Sequence, residues 1–578
     1  MLTFNSLILF DSPTTQGTSK ENVTFDYESR MLEGWYDGEI ILNSIVNNVT
    51  TIKGKQHPKM ILCNKLNESI CNVTEDSMRF TVTVFNSHHD INNVFVRVPI
   101  NHPSVKVLDN TGNAVQNQVV ETFNTSQLKD NMKYEVIFEI KYKGIGFITY
   151  FIVINNNKKT KKVVKKDNNN NGTLENDNFK ITFDDKGNIK NITNKALNVT
   201  FPFNLMYSYY IGCGEDQFQP SGAYIFSPIN TTTVPFDMPI NTTTIIGQLV
   251  NETRQQISPW VSHSIKLYKD APYIEIQWTV GPIPKESSDP IGKELIIRYS
   301  TTLQNKGQFI TDSNGRQSMT RKTNYAPDYD YKNTDPIAAN YYPITNKVSI
   351  NDDKYLFSVL VDRAQGVGGI KDGELEIMLH RRAFHDDYLG VGEPLDELGS
   401  DGRGLVVTGT HRIYIGDKNE LITKIRDDSV QFYKEPILMF SDISNMTIDE
   451  YRNNFLTNYS FLEPSLPKGI NILSIEALNP TSTEWLIRLE QIYEGNEMGV
   501  KSEPIKIDFE KVFPSLKIER IIETDIQGIS EKTDYTKWDM IKNNKVYIRK
   551  GRKNLKRENN EITIFPMQIR TFKIYFKN

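Results

Sequence analysis

The sequence contains little cysteine, little net charge and no long apolar run. Its three cysteines include one close pair, and no second pair or matching histidines follow, which excludes a zinc signature at that pair. A net charge of −4 and a pI near 6.2 provide no electrostatic attraction for nucleic acid or an anionic membrane. No apolar run approaches the length of a membrane span; Ile145–Ile154 is among the longest, and Thr149 interrupts it.

Recognisable catalytic motifs are also absent. The sequence shows no Ser–His–Asp order, no phosphate-binding glycine loop and no repeat of fixed period. His88 and His89 follow a predicted strand and adjacent residues there point apart, so we interpret them as loop surface rather than as metal ligands. The charged stretch from His380 through His385 to Asp387 is compatible with a binding loop or with a self-compensating salt-bridge network.

The length and the residue pattern predict a mainly β protein of several domains. A chain of 578 residues exceeds what one hydrophobic core accommodates, which predicts three or more domains. From Phe80 onward, apolar residues alternate or form short runs that are typical of antiparallel β-sandwiches. The predicted strands include Phe80–Phe85, Val94–Ile100, Tyr134–Tyr142, Phe147–Ile154, a hairpin of Phe179–Phe183 with Ile189 onward, Glu374–Leu379, Trp485–Leu489 and Phe572–Phe576.

The first fifty residues have a different, helical pattern. A capping box at Thr18 to Glu21 precedes apolar residues at helical spacing, and the stretch to about Asn48 contains no proline. Gly34 and Gly38 favour a break, so one or two helices of a partial bundle are expected. The predicted domains are a bundle remnant with a cysteine loop (1–78), a small β-sandwich (79–155), a basic Asn/Lys linker (156–172), a large β-sandwich (173–462) and a C-terminal β domain (463–578).

The sequence features that indicate subcellular location disagree. The N-terminal stretch 1–13 has no basic region and no clear cleavage site, which makes it a poor signal peptide. Thirteen Asn-X-Ser/Thr sequons are nevertheless typical of a secreted glycoprotein, although an asparagine-rich chain produces several by chance. The sequons lie at Asn22, Asn48, Asn67, Asn72, Asn124, Asn171, Asn191, Asn198, Asn230, Asn241, Asn251, Asn445 and Asn458.

The close cysteine pair depends on the same address. Cys63 and Cys71 are eight residues apart, and in a secretory protein they are predicted to form a local disulfide worth about 2.5 kcal/mol by loop entropy. In a cytosolic protein they would be two unpaired thiols. The third cysteine, Cys213, is left without a partner and is expected to be a buried thiol.

The stretch Gln219–Pro228, QPSGAYIFSP, combines a turn with an apolar segment. Proline and glycine in its first four residues predict a tight turn, and Ala223–Phe226 is predicted as a short buried strand with Tyr224 and Phe226 on one face. Two interpretations of Tyr224 remain open from these residues. Its side chain is either core filler with a capped hydroxyl or points its hydroxyl into a cavity.

Several strings of the sequence, in the same order and with similar spacing, resemble the retaining zinc α-mannosidases of glycoside hydrolase family 38, and their lysosomal members most. The resemblance extends from about Gly17 over almost the whole chain and implies the large β-supersandwich of the C-terminal region of these enzymes. The strings are GTSK at 17–20 leading to EGW at 33–35, CNKLNESIC at 63–71, QPSGAYIFSP at 219–228, VGPIP at 280–284, TDSNGR at 311–316, ANYYP at 339–343, DRAQG at 362–366, LHRRAFHDDYLGVGEPLDE at 379–397 and PMQIRTFKIYF at 566–576.

The resemblance also implies a part of the family that this sequence does not match. Family members begin with a zinc-binding α/β domain that carries the metal ligands and the aspartate nucleophile, and their last zinc histidine directly precedes the Ser-Gly-Thr that opens the helix. Here residues 11–16 read DSPTTQ and contain no histidine. We therefore expect no catalytic residue, no zinc ligand and no cofactor in this chain, although zinc serves the full-length family.

Two residues are expected to remain from the rim of the family's active site. By resemblance, the tyrosine of the SGAY motif contacts the zinc-bound sugar, which makes Tyr224 a substrate contact. The arginine six residues after the Asn-Gly of TDSNGR corresponds to Arg321, a second rim residue. Neither side chain hydrolyses a glycosidic bond, since that chemistry needs a nucleophile, an acid/base and here a metal ion.

Three functional interpretations follow from the resemblance. The first is the C-terminal, non-catalytic region of a lysosomal-type α-mannosidase. The whole enzyme would act on mannose-containing glycans, whereas this region would be inactive alone. The second is one subunit of a two-chain enzyme whose separate catalytic α/β half docks on a large apolar surface near the first helices and Tyr224. The third is a lectin-like carbohydrate-binding protein. The implied location is the lysosome or the secretory pathway.

Overall fold

The computed structural model describes most of the chain. It covers residues 20–577 with gaps at 88–89, 124, 126, 129–131, 156–171, 215–218, 237–238, 240, 287–289, 400, 463–465, 479–482, 515, 532–535, 539–547 and 551–560. The predicted capping box at Thr18, the histidines at 88 and 89, and the basic linker apart from residue 172 therefore lie outside the described residues.

A single long helix begins the described chain, in agreement with the prediction of one or two helices. It runs without interruption from Glu21 to Thr50, so the predicted break at the glycines is wrong. A helical glycine costs only about 1 kcal/mol relative to alanine, which the other residues of a 30-residue helix outweigh. The helices are α1 (Glu21–Thr50), α2 (Asn72–Asp76), α3 (Lys418–Tyr433), α4 (Ile448–Asn454) and α5 (Phe509–Val512), with 3₁₀ turns at Leu66–Glu68 and Ala338–Asn340.

The rest of the described chain is mostly strand, as predicted. The strands before residue 160 are β1 (Ile61–Leu62), β2 (Arg79–Asn86), β3 (Asp90–Ile100), β4 (Val105–Leu108), β5 (Asn117–Glu121), β6 (Tyr134–Lys143) and β7 (Ile145–Ile154). Those up to residue 470 are β8 (Thr173–Glu175), β9 (Phe179–Phe183), β10 (Ile189–Asn194), β11 (Val199–Ile211), β12 (Val234–Pro235), β13 (Asn241–Ile245), β14 (Val250–Ser258), β15 (Val261–Tyr268), β16 (Ile274–Val280), β17 (Lys293–Thr301), β18 (Gln308–Ser313), β19 (Gln317–Lys322), β20 (Tyr341–Ile344), β21 (Lys347–Asn351), β22 (Tyr355–Val361), β23 (Gln365–Gly368), β24 (Glu374–Arg382), β25 (Val407–Asp417), β26 (Ile437–Asp442) and β27 (Asn458–Leu462). The last are β28 (Ile470–Ala477), β29 (Glu484–Gln491), β30 (Asn496–Glu497), β31 (Val500–Lys501), β32 (Ile505–Asp508), β33 (Ile518–Thr524), β34 (Thr536–Trp538), β35 (Ile548–Lys550), β36 (Glu561–Ile564) and β37 (Ile569–Phe576).

The first sandwich consists of a six-stranded and a three-stranded antiparallel sheet. The larger sheet has the order β1-β26-β2-β7-β27 with β4 also paired to β7, and the smaller sheet has the order β3-β6-β5. Phe80, Phe138 and Ile152 are fully buried in the core that both sheets contribute to. Residues 437–462 thus complete the sheet of the small sandwich, although the predicted boundaries assigned them to the large one.

Two nine-stranded sheets form the large sandwich, which positions the candidate site. One, which we call the site sheet, has the order β20-β23-β24-β17-β11-β10-β9-β8 with β12 paired to β11. The other has the order β13-β14-β15-β16-β25-β22-β21-β18-β19. Their facing apolar side chains, among them Trp278, Tyr299 and Phe357, form the largest core of the described residues. The outer face of the site sheet is left for other contacts.

A C-terminal sheet of the order β28-β29-β37-β33 completes the fold. A buried ion network connects this region to the large sandwich. Lys347 Nζ contacts Glu497, and Arg426 Nε donates to the same carboxylate at 2.8 Å. All three side chains are nearly inaccessible to solvent, so each charge depends on the others for its compensation.

The structure tests the sequence predictions about the cysteines and about membrane-spanning segments. Cys63 and Cys71 form a disulfide, which confirms the predicted pair. Cys213 is a free thiol but is partly exposed, so its predicted burial is wrong. Within the described residues, no helix combines the length and the apolar character that crossing a membrane requires.

Candidate functional site

The predicted strand at Ala223–Phe226 is an irregular loop on the outer face of the site sheet. Its backbone donors are used elsewhere: the Gly222 amide closes a turn on the Ile225 carbonyl, and the next amides bind a distant carboxylate. The Tyr224 side chain is 49% exposed, which excludes core filler. Phe226 points inward instead, so the prediction that Tyr224 and Phe226 share one face is also wrong.

Asp387 is the distant carboxylate that holds the loop. Its Oδ2 accepts the backbone N–H of Tyr224 and, at 3.1 Å, that of Ile225. Its Oδ1 accepts the Leu389 N–H at 3.2 Å, and its backbone carbonyl accepts Gln219 Nε2 at 2.7 Å. The Asp387 side chain is fully buried, so its charge is compensated by these backbone dipoles.

The close approach of the two chains requires glycine at position 222. A Cβ at Gly222 would lie 2.8 Å from the backbone nitrogen of Asp387 and 2.9 Å from its Cβ. Real Cβ atoms do not approach backbone nitrogen so closely, and backbone on both sides leaves little freedom to adjust. The packing of the loop against Asp387 therefore requires the glycine of the SGAY motif.

A second anchor lies on the strands below the loop. Ser221 Oγ donates to Glu294 Oε1 at 2.8 Å, and Arg381 Nε donates to Glu294 Oε2 at 2.7 Å. Arg381 Nη2 also donates to the Ile225 carbonyl at 3.0 Å. Arg381 and Glu294 face each other across β24 and β17, and Glu294 is only 2% exposed. The ion pair of the sheet thus also binds the loop.

An aromatic floor supports the loop from beneath. The Phe226 ring lies between Tyr210 and Tyr341, with centroids 5.5 Å from each. Both tyrosine hydroxyls donate to Glu376 Oε2 at 2.9 Å, and Arg298 Nε donates to its Oε1 at 2.9 Å. Burial, and then the Glu376 charge, raise the pKa of both tyrosines well above its usual value. Both hydroxyls therefore stay protonated and act as donors.

The other predicted rim residue lies on the far side of strand β20. Arg321 Nε donates to Thr311 Oγ1 at 3.1 Å, and its guanidinium lies 4.5 Å from the centroid of the Tyr342 ring. Tyr341, the preceding residue of β20, contacts Phe226 on the opposite face. Arg321 and the Tyr224 loop therefore contact opposite faces of β20.

The histidines near the loop do not resemble a metal centre. Burial lowers the pKa of His380 to about 4, and its ring lies in the sheet rather than in an open site. Across the part of the chain that the structure describes, no group of three or more His, Cys, Asp or Glu side chains is arranged to hold a metal ion. A zinc ion does not fit those residues around Tyr224 that the structure describes, and we assign no step to one.

An exposed apolar surface adjoins the site. The Glu21 amide at the start of α1 donates to Glu393 Oε1 at 3.0 Å, which places the helix beside the loop that follows Asp387. In that loop Tyr388 is 67% and Leu389 52% exposed. We call these two residues, Tyr224 and the exposed apolar residues of α1 the apolar surface; the helix contributes Val23, Phe25, Met31, Leu32, Trp35, Tyr36, Ile40, Ile41 and Ile45.

The sequence analysis missed the residues that fix the loop. Glu294 and Glu376 lie in strands where nothing in the local pattern distinguishes them from surface glutamates. The charged string that ends at Asp387 was the available signal, but its arginines pair outside the string, Arg381 with Glu294 and Arg382 with Asp396, so the predicted self-compensating network is wrong. Its partner Glu294 is 87 residues away in sequence, which no local pattern reveals.

Comparisons with known proteins agree with this architecture. Residues 174–389, which contain the loop and both of its anchors, match the family model "Glycosyl hydrolases family 38 C-terminal domain". The chain is 31% identical to lysosomal α-mannosidase of Homo sapiens over 579 residues, which is 98% of this chain and 55% of that protein. It is also 31% identical to α-mannosidase of Canavalia ensiformis over 599 residues, which is 97% of this chain and 60% of that protein.

The solved structures extend the likeness to the fold. An α-mannosidase from Enterococcus faecalis V583 superimposes with a TM-score of 0.61 at 12% identity, covering 99% of this chain and 63% of that one. This chain spans little more than half the length of the curated relatives, 55% for the human protein and 60% for the plant one. Together, the family model and these relatives show that residues 174–389 form a glycosyl hydrolase family 38 C-terminal domain and that the chain aligns with the C-terminal portion of α-mannosidases.

Proposed function

We propose that residues 1–578 supply the non-catalytic C-terminal portion of an α-mannosidase that removes terminal α-D-mannose from glycans, with Tyr224 contacting the sugar. The observation that carries the proposal is the half-exposed Tyr224 on a loop fixed by two buried carboxylates. A hydroxyl on a rigid loop contacts a sugar with little loss of conformational freedom, which is what a substrate-orienting residue needs. The relatives' names supply the reaction class.

The three buried carboxylates that support the Tyr224 loop are unsuited to the chemistry itself. Glycoside hydrolysis uses one carboxyl group as acid/base and a second as base or nucleophile. Asp387, Glu294 and Glu376 are almost fully buried, and their oxygens accept hydrogen bonds from amides, hydroxyls and arginines. The catalytic carboxylates and the metal ion therefore come from the portion of the enzyme that the relatives have and this chain does not match, either on the same polypeptide or on another.

The apolar surface is where we place that catalytic portion. Exposed apolar side chains in such number mark an interface in soluble proteins, and the start of α1 lies beside the loop that carries Tyr388 and Leu389. A catalytic portion seated on the start of α1 and on this loop would lie close to Asp387, which holds the Tyr224 loop. This position favours a composite enzyme over a separate lectin-like module, whose sugar-binding side chains would not need an adjoining apolar face.

The lysosome or secretory route is the compartment that we propose. Lysosomal α-mannosidases are among the relatives, and the disulfide is typical of an oxidising compartment. Many sequon asparagines are exposed and available for glycosylation. Those exposed in the described residues are Asn22, Asn48, Asn67, Asn72, Asn198, Asn230, Asn241, Asn445 and Asn458.

The test measures binding and hydrolysis with the purified chain. We expect methyl α-D-mannoside to bind with millimolar affinity, and Tyr224→Phe to weaken binding about tenfold because one hydrogen bond to the sugar is lost. Tyr433→Phe, at an exposed tyrosine at the end of α3, serves as the matched control. Hydrolysis of an aryl α-mannoside by the chain alone, abolished by a zinc chelator, would contradict the proposal.

A further inference from the structure

We infer that Asp387 is a positioning residue for the sugar contact: its carboxylate sets the place of the Tyr224 side chain without touching the sugar. The inference rests on the proposed function, because Tyr224 is the residue through which Asp387 acts. Two features distinguish Asp387 from an ordinary structural aspartate. Its oxygens bind consecutive amides of the tyrosine's own loop, and its carboxylate is fully enclosed.

The carboxylate determines the backbone at the tyrosine itself. The amides of Tyr224 and Ile225 both donate to Oδ2, and they belong to the peptide units before and after Tyr224, so one carboxylate oxygen constrains both units. Arg381 Nη2 donates to the Ile225 carbonyl at 3.0 Å and so constrains the next peptide unit along the loop. With the peptide units on both sides of the residue constrained, the direction of the Tyr224 side chain is restricted to its own rotamers.

Asp387 also couples this loop to the neighbouring exposed loop. Its Oδ1 accepts the Leu389 amide at 3.2 Å, so one side chain binds both loops. Tyr224 and Tyr388 both project from these two loops into solvent. A carboxylate that accepts several N–H bonds holds them about twice as strongly as a neutral acceptor would. Removal of Asp387 would therefore release both tyrosines from their relative positions.

Asp386 provides a control of the same chemistry one residue away. Its oxygens accept the amides of Tyr388 at 3.1 Å and Gly392 at 3.0 Å, both within its own loop. Asp386→Asn therefore changes the charge and the local loop but no hydrogen bond to the Tyr224 loop. Asp387→Asn is the conservative variant, since its amide oxygen still accepts the Tyr224 and Ile225 amides while its NH₂ group loses the Leu389 amide.

The experiment combines amide hydrogen exchange with mannoside binding in the intact chain. We expect Asp387→Ala to accelerate exchange in the peptide that contains Tyr224 and Ile225, and to weaken methyl α-D-mannoside binding about tenfold. The mannoside affinity of Asp387→Asn is expected to stay within about threefold of that of the unchanged protein. Asp386→Asn is expected to equal the unchanged protein in both amide exchange and mannoside binding. Thermal unfolding of each variant verifies that the fold is retained.

A double-mutant cycle decides whether Asp387 acts through Tyr224. If it does, Asp387→Ala costs no further affinity once Tyr224→Phe is present, whereas independent effects would multiply. Faster exchange with unchanged mannoside binding, or full additivity in the cycle, overturns the inference and leaves the proposed function standing. A Tyr224→Phe variant that binds mannoside as well as the unchanged chain overturns the proposed function, and the positioning role with it.

Discussion

Arg381 and Glu294 form a cross-strand ion pair between β24 and β17, with Nη2 2.6 Å from Oε1. The same guanidinium also binds the Ile225 carbonyl of the Tyr224 loop. A regular feature of the sheet thereby becomes the support of an irregular loop above it. The loop inherits the rigidity of the sheet, which explains how a half-exposed segment keeps one conformation.

Removing the arginine should therefore destabilise both the sheet and the loop. Arg381→Ala leaves Glu294 buried without its counter-ion, and we expect a loss of about 3 kcal/mol in the free energy of unfolding. Denaturant titration followed by circular dichroism measures this loss. Arg30→Ala removes a solvent-exposed ion pair of α1 and should change stability by less than about 0.5 kcal/mol. Equal effects of the two substitutions would contradict the role of the buried pair.

The close approach at Gly222 gives a second prediction. Gly222→Ala forces its Cβ against the Asp387 backbone, and we expect a loss of about 1–3 kcal/mol in stability with faster amide exchange at Tyr224. Gly38→Ala is the control of opposite sign, because its helical position has open space and alanine favours a helix by about 1 kcal/mol. A neutral Gly222→Ala would show that the two chain segments separate easily.

Buried histidines make the stability of the chain dependent on pH. Burial, and then the nearby Arg363 charge, lower the pKa of His411 to about 3, and the ring binds Tyr299 and Gln365. The unfolded chain binds this proton near pH 6.5, so the stabilisation is complete above that value and is lost as the pH falls towards 3. At pH 4.5 the loss from this one group is about 2–3 kcal/mol.

The histidine prediction is checked by thermal unfolding at pH 7 and pH 4.5. His411→Gln should reduce the difference between the two unfolding midpoints, because the titrating group is gone and glutamine retains hydrogen-bonding capacity. His102→Gln, at an exposed position, should leave the difference unchanged. An unchanged difference in His411→Gln would assign the pH dependence to other groups.

The strands of this fold are readable from the sequence because their signal is local. The alternation over Phe80–Phe85 and the hairpin around Gly187, whose φ is 84°, depend on residues that are adjacent in the chain. Such features need no knowledge of the tertiary fold, and the structure confirms them.

The contacts that shape the site depend on residues far apart in sequence. Tyr224 and Asp387 are separated by 163 residues in sequence. The apolar run at Ala223–Phe226 predicted a strand because the sequence does not reveal that Asp387 binds the amides of this segment. The return of β26 to pair with β2 is a similar long-range event. Hydrophobic periodicity indicates the intrinsic secondary-structure preference of a segment, whereas the conformation of these residues is determined by contacts with segments that are distant in sequence.

The exposed face of α1 gives the prediction that concerns the catalytic portion. Ile40 is 67% exposed, so Ile40→Lys should leave the stability of this chain within about 0.5 kcal/mol. A charge at the centre of an apolar interface would be buried without a partner, which weakens association strongly. We therefore expect tagged Ile40→Lys protein, expressed in its source cells, to recover much less α-mannosidase activity than the unchanged chain. Ile529→Lys, at an exposed isoleucine of the C-terminal region, should recover full activity, and equal recovery by both variants would place the catalytic portion elsewhere.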